Sequence, residues 1–201
     1  MCIRDRRNRK TVSRDELTEA IDRVIAGPQR KSRVISERER IMTAYHEAGH
    51  ALVARMLPNA DPVRKVSIVA RGMMGGFTRS LPTEDRNLES RKKLMADMVG
   101  LLGGRAAEEI MFDDITSGAS NDIERVTKLA RSMVTRLGMS DILGPMVYGQ
   151  KEELIFLGRE ISEQRDYSEA VAQEIDREVQ RTVNEAYRTA KEILETHKDK
   201  L

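Results

Sequence analysis

A five-residue run, HEAGH at 46–50, constrains this chain more than any other feature. It lies between a capping pair, Ser36 with Glu39, and the helix-stopping Pro58. That framing predicts one long helix ending near Leu57. On a helix, His46 and His50 leave the same face one turn apart. Two neutral imidazoles so placed can share one Zn²⁺ at about 2.0–2.1 Å each. Glu47, between them, is angled to reach a water at the metal rather than the metal itself. Two ligands and a general base make the H-E-x-x-H pattern of zinc peptidases.

A catalytic zinc takes three protein ligands and keeps a position open for water. The extended pattern H-E-x-x-H-x-x-G-x-x-H does not supply the third, because Val53 and Met56 stand at its Gly and His positions. The remaining histidine, His197, falls in a charged final helix and reads as a surface residue. The single cysteine, Cys2, has no spacing that completes a zinc site and excludes an internal disulfide framework. A carboxylate is therefore expected. Glu108, in GGRAAEE, and Asp122, in TSGASND, are the two candidates. A glutamate on a downstream helix has precedent as a ligand. An aspartate at a helix start also has a purely structural use, facing the helix dipole. The residues alone leave the two even.

The rest of the pattern predicts a mainly α chain with a small β-ribbon. A first helix over 11–27 opens on the capping box Ser13/Glu16 and carries an apolar stripe of Leu17, Ala20, Ile21, Val24 and Ile25. One helix cannot bury that stripe by itself, so it needs a partner. A polar, basic linker follows at 29–33. Between Val63 and Pro82 the period changes to two: Val66, Ile68 and Ala70 alternate with Lys65, Ser67 and Val69, and a second short strand spans 77–81 after a turn containing Met73 and Met74. Thr78 and Arg79 are expected on that strand's solvent face. The stretch 90–112 is helical by pattern, with an expected interruption at Gly103 and Gly104. A helix with a capping box at Asn121 and Glu124 should bury Ile123, Val126, Ala130, Met133 and Val134 and end at Gly138. A last helix over 168–198 aligns Val171, Ile175, Val179, Val183, Ala186, Ala190 and Ile193.

Charge narrows the function classes. The chain carries 35 basic and 33 acidic residues, interspersed, which argues against a nucleic-acid partner. The short basic run at 4–10 reads as a solvated terminus. No apolar run approaches the roughly 20 residues of a membrane span.

Several blocks together resemble one family. HEAGHALV, GGRAAEEI, TSGASNDIERVTKLAR followed by LGMSDILGP, and FLGREI are similar to the FtsH family of membrane-anchored, ATP-dependent zinc metalloproteases. The resemblance runs from about Thr11 to the C-terminus. It implies that residues 1–33 are the end of an AAA+ lid and its linker, and that 34–201 are a C-terminally shortened metallopeptidase domain. It implies zinc, one ion per chain, held by His46, His50 and Asp122, with Glu47 as base and Glu108 beside the site as a supporting carboxylate. It implies unfolded polypeptide substrates. Their extended chain would pair with the strand edge at Gly76, Phe77, Thr78, Arg79, Ser80 and Leu81. It implies a homo-hexamer in the full-length protein, with ATP used only by an upstream ATPase domain. Membrane attachment would come through segments N-terminal to this chain, leaving a soluble piece in the cytoplasm or an equivalent organellar compartment. No G-x-x-x-x-G-K-[ST] occurs here, so the chain itself is not expected to hydrolyse ATP. Two other readings compete: an FtsH-like assembly module that is catalytically silent, and an unrelated helical protein with a structural zinc. Retention of His46, Glu47, His50 and Asp122 opposes the first. The lack of cysteine near the motif opposes the second.

Overall fold

The structure is a computed structural model that describes residues 11–29, 35–71, 75–82, 84–149 and 166–201. Cys2, the basic run at 4–10, most of the linker at 29–33, Met73, Met74 and the FLGREI block lie outside those residues. The described residues form helices α1 (Arg14–Ala26), α2 (Glu37–Met56), α3 (Arg91–Phe112), α4 (Ser120–Thr135) and α5 (Glu169–Thr196), with strands β1 (Val63–Ser67) and β2 (Phe77–Ser80) between α2 and α3. None of these helices is long and apolar enough to cross a membrane.

Helix starts follow the expected chemistry. Ser13, Ser36, Ser90 and Ser168 each accept a main-chain N–H of the first turn, at Glu16, Glu39, Lys93 and Val171. Only Ser13 and Glu16 close a full reciprocal box. The start of α4 differs from expectation. Its cap is Ala119, which has no side chain to offer, and Asn121 lies inside the first turn. A short 3-10 turn, Ser117–Ala119, feeds directly into α4 and does the work assigned to the Asn121/Glu124 pair.

Helix α3 is the centre of the core. It buries Leu94, Met98, Val99, Leu102, Ala106 and Ala107 against Val53 of α2, Val126, Ala130, Met133 and Val134 of α4, and Ile175, Val179, Ala186, Ala190 and Leu194 of α5. Tyr187 and Lys191 of α5 both bond Glu109, which pins α5 to the end of α3. Beyond α4, Gly138 takes a φ of 58°, a left-handed turn that suits glycine. The expected break at Gly103 and Gly104 does not occur: α3 is continuous. Those glycines instead permit contact between helix backbones. A Cβ on Gly103 would lie 2.8 Å from the Gly49 carbonyl oxygen, and one on Gly49 would lie 2.4 Å from that of Gly103. The cost of glycine in a helix, about 1 kcal/mol, is offset by that close crossing.

The ribbon is antiparallel, pairing Lys65 with Arg79, Val66 with Thr78 and Ser67 with Phe77, with a bulge before Lys65. Both strands are shorter than the alternation predicts: Ile68 and Ala70 follow β1, and Leu81 follows β2. Helix α1 lies against this ribbon with its polar side inward. Glu16, Asp22 and Ala26 are buried, whereas Leu17, Ile21, Val24 and Ile25 are exposed, Val24 at 87%. Asp22 pairs with Lys65 and, at 2.9 Å, with Arg79; Glu19 pairs with Arg71 at 2.7 Å. Arg79 therefore does not set a solvent face, as the alternation suggested, but faces α1.

Candidate metal centre

The close crossing of α2 and α3 at Gly49 and Gly103 brings one turn of each helix into register. Above it, His46 and His50 project from α2 over Gly104. A Cβ on Gly104 would sit 2.5 Å from His46 Nε2 and 2.6 Å from His50 Nε2. Glycine at 104 thus leaves the space in which the two imidazoles meet. Asp122, in the first turn of α4, completes the group. Its Oδ2 lies 3.4 Å from each Nε2, and the two Nε2 atoms are 3.0 Å apart.

Hydrogen bonds define what these atoms offer. His46 Nδ1 lies 2.7 Å from Glu108 Oε1, and His50 Nδ1 lies 2.8 Å from the Gly100 carbonyl oxygen. A carboxylate and a carbonyl can only accept, so with Nδ1 protonated on each ring both Nε2 atoms have lone pairs to give an ion. In that tautomer two lone pairs and a carboxylate oxygen repel one another across 3.0–3.4 Å. A shared cation relieves that repulsion. Tetrahedral ligands at 2.0–2.1 Å stand about 3.3 Å apart, which matches the observed triangle and fits zinc. Among the described residues, His46, His50 and Asp122 are the group able to hold a metal ion.

A proton is the alternative to that cation. Burial pulls the His46 imidazolium down, but Asp122 and Glu108 overcome it and hold its proton up to about 9. Asp122 is favoured as the anion: burial opposes this, and the bonds from His46 and His50 outweigh burial. Glu108 likewise lies below the ordinary carboxylate value, burial being outweighed by His46 and by the Thr116 main-chain N–H, 2.8 Å from Oε2. Glu108 therefore touches both sides of the site. One oxygen fixes His46, and the other fixes the loop that delivers Asp122.

Glu47 lies beside this triangle, on the side of the ribbon. Its Oε2 accepts the Thr78 hydroxyl at 2.7 Å, and the same hydroxyl lies 3.1 Å from the Glu47 carbonyl oxygen. Burial raises Glu47 above the usual carboxylate value, and the Thr78 bond partly opposes this. A Cβ on Gly76 would meet Glu47 Oε1 at 2.9 Å, so glycine there lets the ribbon settle on the carboxylate. Leu81 N–H bonds the Pro62 carbonyl at 3.3 Å. Alternation along β2 therefore turns the main-chain groups of Thr78 and Ser80 to the opposite edge. Among the described residues no third strand covers that edge.

Of the residues anticipated from sequence, His46, Glu47, His50, Glu108, Asp122, Gly76 and Thr78 are gathered in one place. Phe77 is buried, Arg79 is turned to α1, Ser80 is exposed, and Leu81 continues past the strand. His197 caps α5, with Nδ1 2.9 Å from the Ile193 carbonyl oxygen. Sequence reasoning did not anticipate Thr78 as the partner of Glu47, or Gly104 as the floor of the site. The Gly103-Gly104 doublet carried a signal for the second, and nothing local carried one for the first.

Comparison with known proteins identifies the family. The model of peptidase family M41 matches residues 33–201. ATP-dependent zinc metalloprotease FtsH 1 of Thermomicrobium roseum is 65% identical over 98% of this chain and 30% of its own length. Its namesake from Sphaerobacter thermophilus is also 65% identical over the same shares. The FtsH metalloprotease of Rubrobacter xylanophilus is 56% identical over 94% of this chain and 29% of its own length. The chain thus spans about three tenths of the relatives it matches. It belongs to peptidase family M41, the family of the FtsH metalloproteases.

Proposed function

We propose that this chain is the proteolytic part of an FtsH-type, ATP-dependent zinc metalloendopeptidase that cuts unfolded or threaded polypeptides. The observation that carries this reading is the convergence of three acceptor atoms beside a buried carboxylate that is not one of them. His46, His50 and Asp122 hold the ion. Zinc bound there supplies Lewis-acid activation of a water and of the scissile carbonyl. Glu47 takes a proton from the attacking water and passes it to the leaving amine nitrogen. Its burial and raised basicity suit that work. Glu108 keeps the His46 ring oriented, holding Nδ1 so that Nε2 faces the ion. The outer edge of β2, within residues 76–81, aligns an extended substrate through the main-chain groups of Thr78 and Ser80. Pairing of this kind is largely blind to side chains, which suits disposal of unfolded protein.

Residues 1–33 belong to the end of an upstream AAA+ module. ATP is used there and not at this site. The whole protein is a homo-hexamer, membrane-anchored through other segments, with this part in the cytoplasm or an equivalent organellar compartment. The test is Glu47→Gln. Zinc content and fold should be retained while cleavage of an unstructured peptide nearly vanishes, because an amide takes no proton. Substantial cleavage by that variant would remove Glu47 from the role.

A further inference from the structure

Strand β2 lies between two helices and touches each with alternate residues. Thr78 faces α2 and bonds Glu47 Oε2 at 2.7 Å. Arg79, its immediate neighbour, faces the other way and gives Nη1 to Asp22 Oδ1 of α1 at 2.9 Å. The second oxygen of Asp22 takes Lys65, which stands opposite Arg79 on β1. Asp22 is 0% exposed, so a buried carboxylate is matched by one cation from each strand. The ribbon is thereby gripped as a unit. A second grip holds its far end, where Arg71 reaches Glu19 at 2.7 and 3.2 Å and pairs through its main chain with Gln29. Helix α1 lies outside the residues that match the peptidase family.

Only one peptide unit separates the residue held by α1 from the residue that holds Glu47. The hydroxyl bond fixes the plane of the Glu47 carboxylate through Oε2. Oε1 lies beneath Gly76, whose lack of a side chain leaves room for it. The geometry points to Asp22 as a positioning residue for peptide cleavage: through Arg79 and Lys65 it keeps β2 where Thr78 orients Glu47. This rests on Glu47 serving as the base. Its consequence is that the active site senses where α1 lies. A displacement of the upstream segment is passed to the base by the ribbon, with no change at the metal ligands.

The experiment uses the zinc-loaded 201-residue chain with ¹³C in its glutamate carboxyl groups. The Glu47 signal is identified by its loss in Glu47→Gln. Asp22→Asn and Thr78→Val should each move that signal, and the double variant should show the Thr78→Val position with no further change. Thr78→Ser, which keeps the hydroxyl, should restore the original position. Arg79→Met removes the link from the ribbon side and guards against a folding defect in Asp22→Asn; it should move the signal in the same direction. Cleavage of an unstructured fluorogenic peptide should fall about tenfold in either single variant and no further in the double. Zinc content should be unchanged throughout. An unmoved Glu47 signal in both Asp22→Asn and Arg79→Met overturns the proposal, as do additive effects in the double variant. Persistent turnover in Glu47→Gln would instead defeat the assignment of the base. The carboxylate signal still reports on the tether in that event, and it decides the matter even where turnover by the chain is slow.

Discussion

The two helices that flank the ribbon are held in place by opposite kinds of force. On one side, α2 meets α3 through apolar side chains and bare backbone, with Gly49 and Gly103 in contact and Val53, Met98 and Leu102 sealed beneath. On the other, α1 meets the strands through carboxylates and cations, and its apolar residues face outward. The first contact is dense, short-ranged and indifferent to salt. The second is specific in partner and angle but contributes less per contact, since much of the gain from an ion pair is lost in removing it from water. The candidate metal centre is built on the dense contact, and the ribbon beside it is tied to α1 by the ionic one.

The sharpest way to break this contrast is at the helix crossing. Gly49→Val would drive a side chain into the Gly103 carbonyl and Ala107. It should cost about 3 kcal/mol in urea unfolding, at the upper end of overpacking, and abolish zinc binding as the helices part. Removing ligands should leave the crossing intact. Asp122→Ala should lower zinc affinity by more than about 100-fold, and Glu108→Ala by about 10–100-fold, as for a group that orients a ligand. A chelator competition on the two variants checks the order. Reversal of that order would make Glu108 the ligand.

A third prediction follows from His46, whose proton is held from the ordinary 6.5 up to about 9. Zinc must displace that proton, so affinity should tighten by about tenfold per pH unit from 7 toward 9 and then level off. The sign is opposite for the metal-free fold. The retained proton stabilises it fully below about 6.5, and that contribution is lost as pH rises through about 9. Calorimetric titration in two buffers of different ionisation heat measures the release directly. The smallest effect belongs to the ionic side. Glu19→Gln should raise amide exchange in 14–26 by a few-fold, in keeping with about 1 kcal/mol or less for a partly exposed pair. The thermal midpoint and zinc affinity should stay in place. A large loss of global stability would show that α1 belongs to the core after all.

The same contrast explains what the sequence made legible. Features decided within one helical turn were readable: the serine caps, the His46–Glu47–His50 face, and the stripe of α5 from Val171 to Ile193. Features decided by elements meeting in space were not. Asp122 and Glu108 lie on different helices: spacing left them even, the family resemblance separated them, and the fold has one beside both Nε2 atoms and the other behind a ring. The glycine pair at 103 and 104 reads locally as a break, because helix propensity carries no information about a neighbouring backbone. The start of α4 was misread because a 3-10 turn replaced a side-chain cap. Helix α1 displayed a proper amphipathic stripe, yet its polar face is the buried one, because Lys65, Arg71 and Arg79 arrive from some 40 to 60 residues away.

Glu108 has one more consequence. With one oxygen on the ring of α2 and the other on the loop leading into α4, it acts as a spacer of fixed length between ligands from two separate elements. The edges of the triangle are therefore braced from outside and leave little room to expand. Calcium seeks six to eight oxygens at 2.3–2.6 Å, and magnesium an octahedron rich in water and carboxylate. Among the described residues the group offers two imidazoles and one carboxylate, which suits neither. Borderline-soft ions that accept nitrogen find their coordination half assembled, with little ordering left to do on arrival. Selectivity in this site thus begins in a side chain that touches no ion.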